Sequence, residues 1–181
     1  MRQLLVDLNI VLDALLDRPP QGEAAARLWA AAERKRVGAL VPAHGVTTLF
    51  YLVRQAKGPA AARRAVEAVL SAFGVAPADE AVLRRALSLG WADFEDAVCA
   101  AAAEAAGCDL IVTRDPGGFR GSPVPVVDAA TALSLLEEAN GPEGVSEGAS
   151  RYGRTARRRR RRARPVLDLE VPDLEGPKLR G

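Results

Sequence analysis

Four carboxylates from three well-separated places in the chain could act on one substrate: Asp7, the pair Asp93 and Asp96, and Asp115. Asn9 follows the first of them by two residues. Asp93 and Asp96 are three apart and so share a face if they lie on a helix. Carboxylates crowded together repel, and each raises its neighbours' pKa. A fold that gathers them needs an offset, and a divalent cation held by oxygen supplies one. Such ions activate water and stabilise the charge that develops on a phosphodiester. The chemistry suggested is metal-assisted hydrolysis of a nucleic-acid backbone. A single histidine, His44, excludes a His-rich zinc site. The expected ion is therefore Mg²⁺ or Mn²⁺.

The elements that must position these residues follow from hydrophobic periodicity. Residues 2–6 read as a buried strand running into Asp7, and Asn9 to Asp17 carries apolar residues at helical spacing up to Pro19-Pro20. Helices are expected over 22–36, 43–55, 59–73 and 79–88, the last capped by Asp79, with short strands at 38–41 and 75–76. The stretch from Asp93 to Phe119 is central. It reads as a helix of small residues stopped by Gly107, the strand Leu110-Ile111-Val112, then Thr113-Arg114-Asp115 and a turn at Pro116-Gly117-Gly118. A last strand at 124–127 leads to Asp128, which caps a helix to about Glu138. Short apolar strands alternating with helices predict a three-layer α/β/α domain with a short, mostly parallel central sheet. Ligands in such sheets bind beyond the carboxyl ends of the strands, where strand order reverses. Asp7 and Asp115 both follow strands.

Charge divides the chain. Residues 1–140 hold 14 Lys+Arg against 17 Asp+Glu, a net of −3. Residues 141–181 hold 11 against 6, a net of +5. Arg157 to Arg162 is an unbroken run, with Arg151, Arg154 and Arg164 close by. The expected organisation is one domain over 1–138 and a disordered Arg-rich tail over 139–181. Those arginines suit either RNA phosphates or an acidic partner. Cys99 and Cys108 make no disulfide framework and read as small buried hydrophobes. No apolar run approaches the ~20 residues of a membrane span. The N-terminus also lacks a signal-peptide layout, so the chain reads as cytoplasmic with no membrane partner.

Each candidate also has a plainer reading. Asp7 and Asp93 can be helix N-caps, with Glu95 and Asp96 favoured in a first turn by the helix dipole. Asp115 fits a turn before proline. Thr47 and Thr48, within an apolar helix, can bond back to its carbonyls. Asp13 and Asp109 read as solvated surface acids, Arg114 as a surface arginine, and His44 as a surface or satisfied core residue.

The ordering of motifs resembles the PIN domain, the nuclease fold of many VapC-type toxins. The resemblance rests on a strand entering Asp7-Leu8-Asn9 with Asp13 after it, on FEDAV (Phe94 to Val98), and on LIVTRDPGGF (Leu110 to Phe119). It covers roughly residues 1–138. It implies a metal-dependent endoribonuclease in which Asp7, Asp96 and Asp115 are the first, third and fourth acids and hold Mg²⁺ or Mn²⁺. Asn9 occupies the polar position that orients the first acid. The family's second acid, a Glu on the helix after the second strand, is replaced by Thr48 within HGVTTLFYLV. Asp93, one turn before Asp96, is the residue that could fill that gap. The resemblance further implies a toxin of a type II toxin–antitoxin pair, an RNA substrate, a cognate antitoxin protein and a homodimer. The missing Glu leaves an alternative, a catalytically weak or inactive PIN-like module that binds RNA or protein. A haloacid-dehalogenase-like phosphohydrolase with Asp7 as nucleophile ranks lower. It needs an acid where Asn9 stands, and no lysine is suitably placed downstream.

Overall fold

The computed structural model describes residues 2–139, and the Arg-rich tail expected over 139–181 lies outside the described residues apart from Ala139. Five parallel strands form one sheet in the order β3-β2-β1-β4-β5. In chain order they are β1 (Gln3–Val6), β2 (Gly38–Pro42), β3 (Gly74–Ala76), β4 (Leu110–Val112) and β5 (Val126–Val127). Helices α1 (Leu8–Leu16) and α2 (Gly22–Glu33) join β1 to β2, and α3 (Ala43–Lys57) and α4 (Pro59–Ala72) join β2 to β3. Helices α5 (Glu80–Leu89) and α6 (Phe94–Ala105) carry the chain back across the sheet to β4. A short 3-10 turn (Pro116–Phe119) precedes β5, and α7 (Ala129–Ala139) closes the domain.

Strand pleating sends alternate side chains to opposite faces, and the core divides accordingly. Leu4, Val6, Leu110 and Val112 pack with α1, α2, α3, α4 and α7. Leu5 and Ile111 pack on the other face with α5 and α6. Two helical layers thus enclose an apolar sheet, as the alternation of elements predicts. Residues Ala97 to Ala103 of α6 are all buried. Small side chains along that length let the helix lie close to the sheet.

The expected elements are present, with shifted ends. Helix α2 stops at Glu33 rather than residue 36, because Lys35 takes a positive φ of 54° and turns the chain toward β2. Helix α3 runs on to Lys57 until Gly58, at φ 83°, ends it. The last strand is reduced to Val126–Val127. Pro125 has no N–H for a ladder, though its carbonyl accepts from Ile111 N at 2.8 Å. Asp79 caps α5 by accepting from Val82 N, as its position suggests.

Strand order reverses between β1 and β4: the chain moves outward from β1 through β2 to β3, returns to β4, and continues the other way to β5. Asp7 leaves the end of β1, and Thr113 the end of β4. Their backbones are bonded where the strands part, Asp7 N donating to Val112 O at 2.9 Å.

Candidate active site

Asp7 occupies the N-cap position of α1, yet its side chain makes no capping hydrogen bond. Its Oδ2 instead accepts from the Thr113 hydroxyl at 2.7 Å. Burial raises the Asp7 pKa above the ordinary carboxylate value, and the Thr113 bond opposes that rise. Thr113 is fully buried, and its hydroxyl serves several groups. It donates to Asp7, accepts from Asn9 Nδ2 at 2.9 Å, and accepts from Asp115 N at 3.3 Å. Asn9 in turn accepts from Arg114 N at 3.1 Å through its Oδ1. Asn9 thus reaches Asp7 through Thr113, and one hydroxyl ties the ends of two strands together.

Asp96 reaches the same region from the other layer. Burial first, then the carboxylates of Asp93, Asp7, Glu95 and Asp115, push its pKa up to about 6. The end of β1 and the turn after β4 are tied through the Thr113 hydroxyl, and the start of α6 meets that turn at Gly118. Gly118 fixes part of this geometry. A Cβ on it would lie 2.8 Å from Asp96 Oδ2 and 3.8 Å from Asp115 Oδ2. The two carboxylates thus face one point that only glycine leaves open. Asp115 also accepts from Gly117 N at 3.1 Å, which fixes its side chain over the turn.

Asp93 is the N-cap of α6, with Oδ1 accepting from Glu95 N at 2.9 Å and Asp96 N at 3.2 Å. It acts on Asp96 through its charge. Thr48 donates its hydroxyl to His44 O at 3.2 Å, and Thr47 does the same at 2.7 Å. No hydrogen bond links Thr48 to the acids among the described residues. His44 lies nearer to them, its Nε2 3.8 Å from Glu95 Oε1 and its charge felt by Asp7. Burial lowers the His44 pKa, against the pull of Glu95 and Asp7.

One reading needs correction. Asp13 is not a solvated surface acid: it is wholly buried, one turn after Asn9 on the same face of α1. Arg114 is an exposed arginine as expected, and its guanidinium donates to Asp13 Oδ1 at 3.1 Å. Asp109 is exposed as expected and accepts from Gln3 N at 2.6 Å. Thr113 escaped the sequence reading. The only signal was its place at the end of a strand beside Arg114 and Asp115.

The donors Asp7, Asp96 and Asp115 are all carboxylate oxygens, which suits a hard divalent cation. Among the described residues, no three His, Cys, Asp or Glu side chains stand close enough to hold an ion as they are placed. Asp96 and Asp115 face the space over Gly118 without closing on it. No helix among those residues is long and apolar enough to cross a membrane.

A family model described as the PIN domain matches residues 3–116. The fold is similar to that of the Mycobacterium tuberculosis VapC20 protein, described as a sarcin–ricin loop cleaving toxin. The two share 17% identity at a TM-score of 0.54, over 66% of this chain and 96% of that one. It is similar to VapBC2 from Rickettsia felis bound to a promoter DNA fragment, at 16% identity and TM-score 0.56, over 69% and 97%. FitAcB from Neisseria gonorrhoeae matches at 22% identity and TM-score 0.54, over 71% and 99%. At these identities the likeness establishes the fold. No protein of curated function matches the chain in sequence.

Proposed function

Because the chain belongs to the PIN domain family, we propose that it is a metal-dependent endoribonuclease acting in the cytoplasm as the toxin of a type II toxin–antitoxin pair. The observation that carries this reading is geometric: a Cβ on Gly118 would lie 2.8 Å from Asp96 Oδ2 and 3.8 Å from Asp115 Oδ2, and Thr113, two residues before Asp115, donates its hydroxyl to Asp7 Oδ2 at 2.7 Å. Like charges are costly together, and such clusters are kept chiefly at functional sites. Asp7, Asp96 and Asp115 would hold Mg²⁺ or Mn²⁺, which when bound would activate water and offset charge building on the phosphodiester.

The chain's own groups have separable roles. Thr113 keeps a hydrogen bond on Asp7 Oδ2 and so fixes the carboxylate's orientation. Asn9 fixes the Thr113 hydroxyl from one side and the Arg114 backbone from the other. Asp93, already committed to capping α6, adds negative charge beside Asp96 in place of the absent second acid. A solved structure of the same fold described as a toxin–antitoxin complex from Klebsiella pneumoniae supports a small antitoxin protein as partner, and a homodimer is proposed as the assembly.

The test is to incubate purified chain with RNA and Mn²⁺, with and without chelator. Chelator-sensitive cleavage that Asp96→Asn abolishes supports the nuclease. A non-cutting module that binds RNA or protein is the second reading. It is favoured by the Thr48 hydroxyl being spent on His44 O where the family has an acid. RNA binding with no cleavage at any Mn²⁺ concentration would establish it instead.

A further inference from the structure

We propose that Arg114 binds an RNA phosphate next to the one being cleaved, and that buried Asp13 is the positioning residue that holds its guanidinium in place. The proposal rests on the nuclease reading above. Arg114 lies in the chain between Thr113, whose hydroxyl bonds Asp7 Oδ2, and Asp115, which faces the space over Gly118. Both ends of Arg114 are fixed to one face of α1. Its backbone N donates to Asn9 Oδ1 at 3.1 Å, and its Nη1 donates to Asp13 Oδ1 at 3.1 Å. Asn9 and Asp13 are four residues apart, so they stand one above the other on the helix. The guanidinium is thus displaced from Asn9 by one helical turn, about 5.4 Å. That offset sets it beside the acids and not among them, which suits a neighbouring phosphate of the strand.

The pair is not closed as a purely structural one would be. The Asp13 side chain is wholly buried, while 44% of the Arg114 side chain is exposed. One N–H reaches one oxygen. Asp13 Oδ2 is buried and has no hydrogen-bond partner among the described residues. A pair shaped for stability alone would close as a fork, with two parallel N–H groups on the two oxygens. Here the Nε–Nη2 edge of Arg114 makes no hydrogen bond among the described residues, and it belongs to an exposed side chain. That edge carries two N–H groups at the spacing of two phosphate oxygens. The anchor also limits the rotamers of a long side chain, so less freedom is lost on binding. Asp13 offsets part of the charge, so the affinity gained is modest and comes from two directed bonds. A carboxylate would fit the same edge. Its place between Thr113 and Asp115 favours the phosphodiester strand over an acidic protein.

The experiment records the arginine Nε–H signals of the ¹⁵N-labelled full chain by NMR, with chelator present so that nothing is cut. The Arg114 signal is the one missing from Arg114→Lys. On addition of a short oligouridylate it should shift and saturate, and added salt should reverse the shift. In Asp13→Leu the same shift should need on the order of ten-fold more RNA, the loss expected for one charge-assisted hydrogen bond. Asp13→Asn keeps a carbonyl acceptor and should behave nearly as the parent chain does, which a merely structural role for the charge would not give. With Mn²⁺ in place of chelator, Arg114→Lys should raise KM by a similar factor while kcat holds, because an ammonium cannot make the two parallel bonds. An Arg114 signal that stays still at every RNA concentration would overturn the proposal. A larger shift with polyglutamate than with oligouridylate at equal charge would overturn it too. Where Asp13→Leu does not fold, the parent's Arg114 signal still decides. The nuclease reading fails separately: an RNA-dependent shift of that signal with no cleavage sinks that reading and leaves the phosphate contact standing.

Discussion

The Thr113 hydroxyl donates to Asp7 Oδ2 at 2.7 Å across a separation of 106 residues. The same hydroxyl oxygen accepts from Asn9 and from the Asp115 backbone. Replacing Thr113 with valine keeps the shape and removes all of these bonds. Half-buried Asp7 and Asn9 then lose a partner, and the domain should lose about 1–3 kcal/mol in urea unfolding. The Asp7 pKa, which the bond holds down, should rise further. RNA cleavage by the variant should fall and its pH profile should move to higher pH.

Asp96→Asn should abolish cleavage without harming the fold. The carboxylate sits among Asp93, Asp7, Glu95 and Asp115, which destabilise its charged form. Removing that charge relieves repulsion, so Tm without metal should hold or rise. A lower Tm would mean the acid serves the fold and not the chemistry.

The pH dependence follows from the same group. The folded state raises the Asp96 pKa from 3.8 to about 6. Folding therefore favours the protonated acid. The stability this contributes is complete below 3.8 and lost as pH rises through about 6. A cation needs the ionised form, so its stabilising effect should grow over that window. Thermal unfolding with and without Mn²⁺ should show a small Tm gain at the acid end and a larger one near neutrality. An equal gain throughout would place the ion elsewhere.

Gly118→Ala tests the space between two acids. The added Cβ would stand 2.8 Å from Asp96 Oδ2, which must move. Misplacing a reacting group by about 1 Å can cost on the order of 10²-fold in rate. The variant should cleave far more slowly while its unfolding midpoint shifts little.

Arg114→Ala leaves Asp13 buried without its partner. The guanidinium is about half exposed, so the loss should fall between that of a surface pair and that of a buried one, about 1–3 kcal/mol in urea. Adding Asp13→Asn should recover part of it, because the second change removes the stranded charge. Additive losses would show that the two residues are not coupled.

Local sequence determined the elements. Leu110-Ile111-Val112 is too short and too apolar to be anything but a buried strand, and Ala97 to Ala103 suits only a closely packed helix. The types of residue that could do chemistry were also legible, since Asp7, Asp96 and Asp115 stand at the ends of elements whose periodicity is clear. Tertiary structure decided which groups those acids meet. Thr113 becomes a hub only because β1 and β4 are neighbours in the sheet. Asp13 is buried only because α1 lies under the turn that carries Arg114. Thr48 bonds within its own helix, whereas His44, one turn earlier, reaches toward Glu95. These contacts join residues up to about a hundred positions apart. Periodicity and propensity act over a few residues, and the energy of such a contact exists only once strand order has brought its partners together.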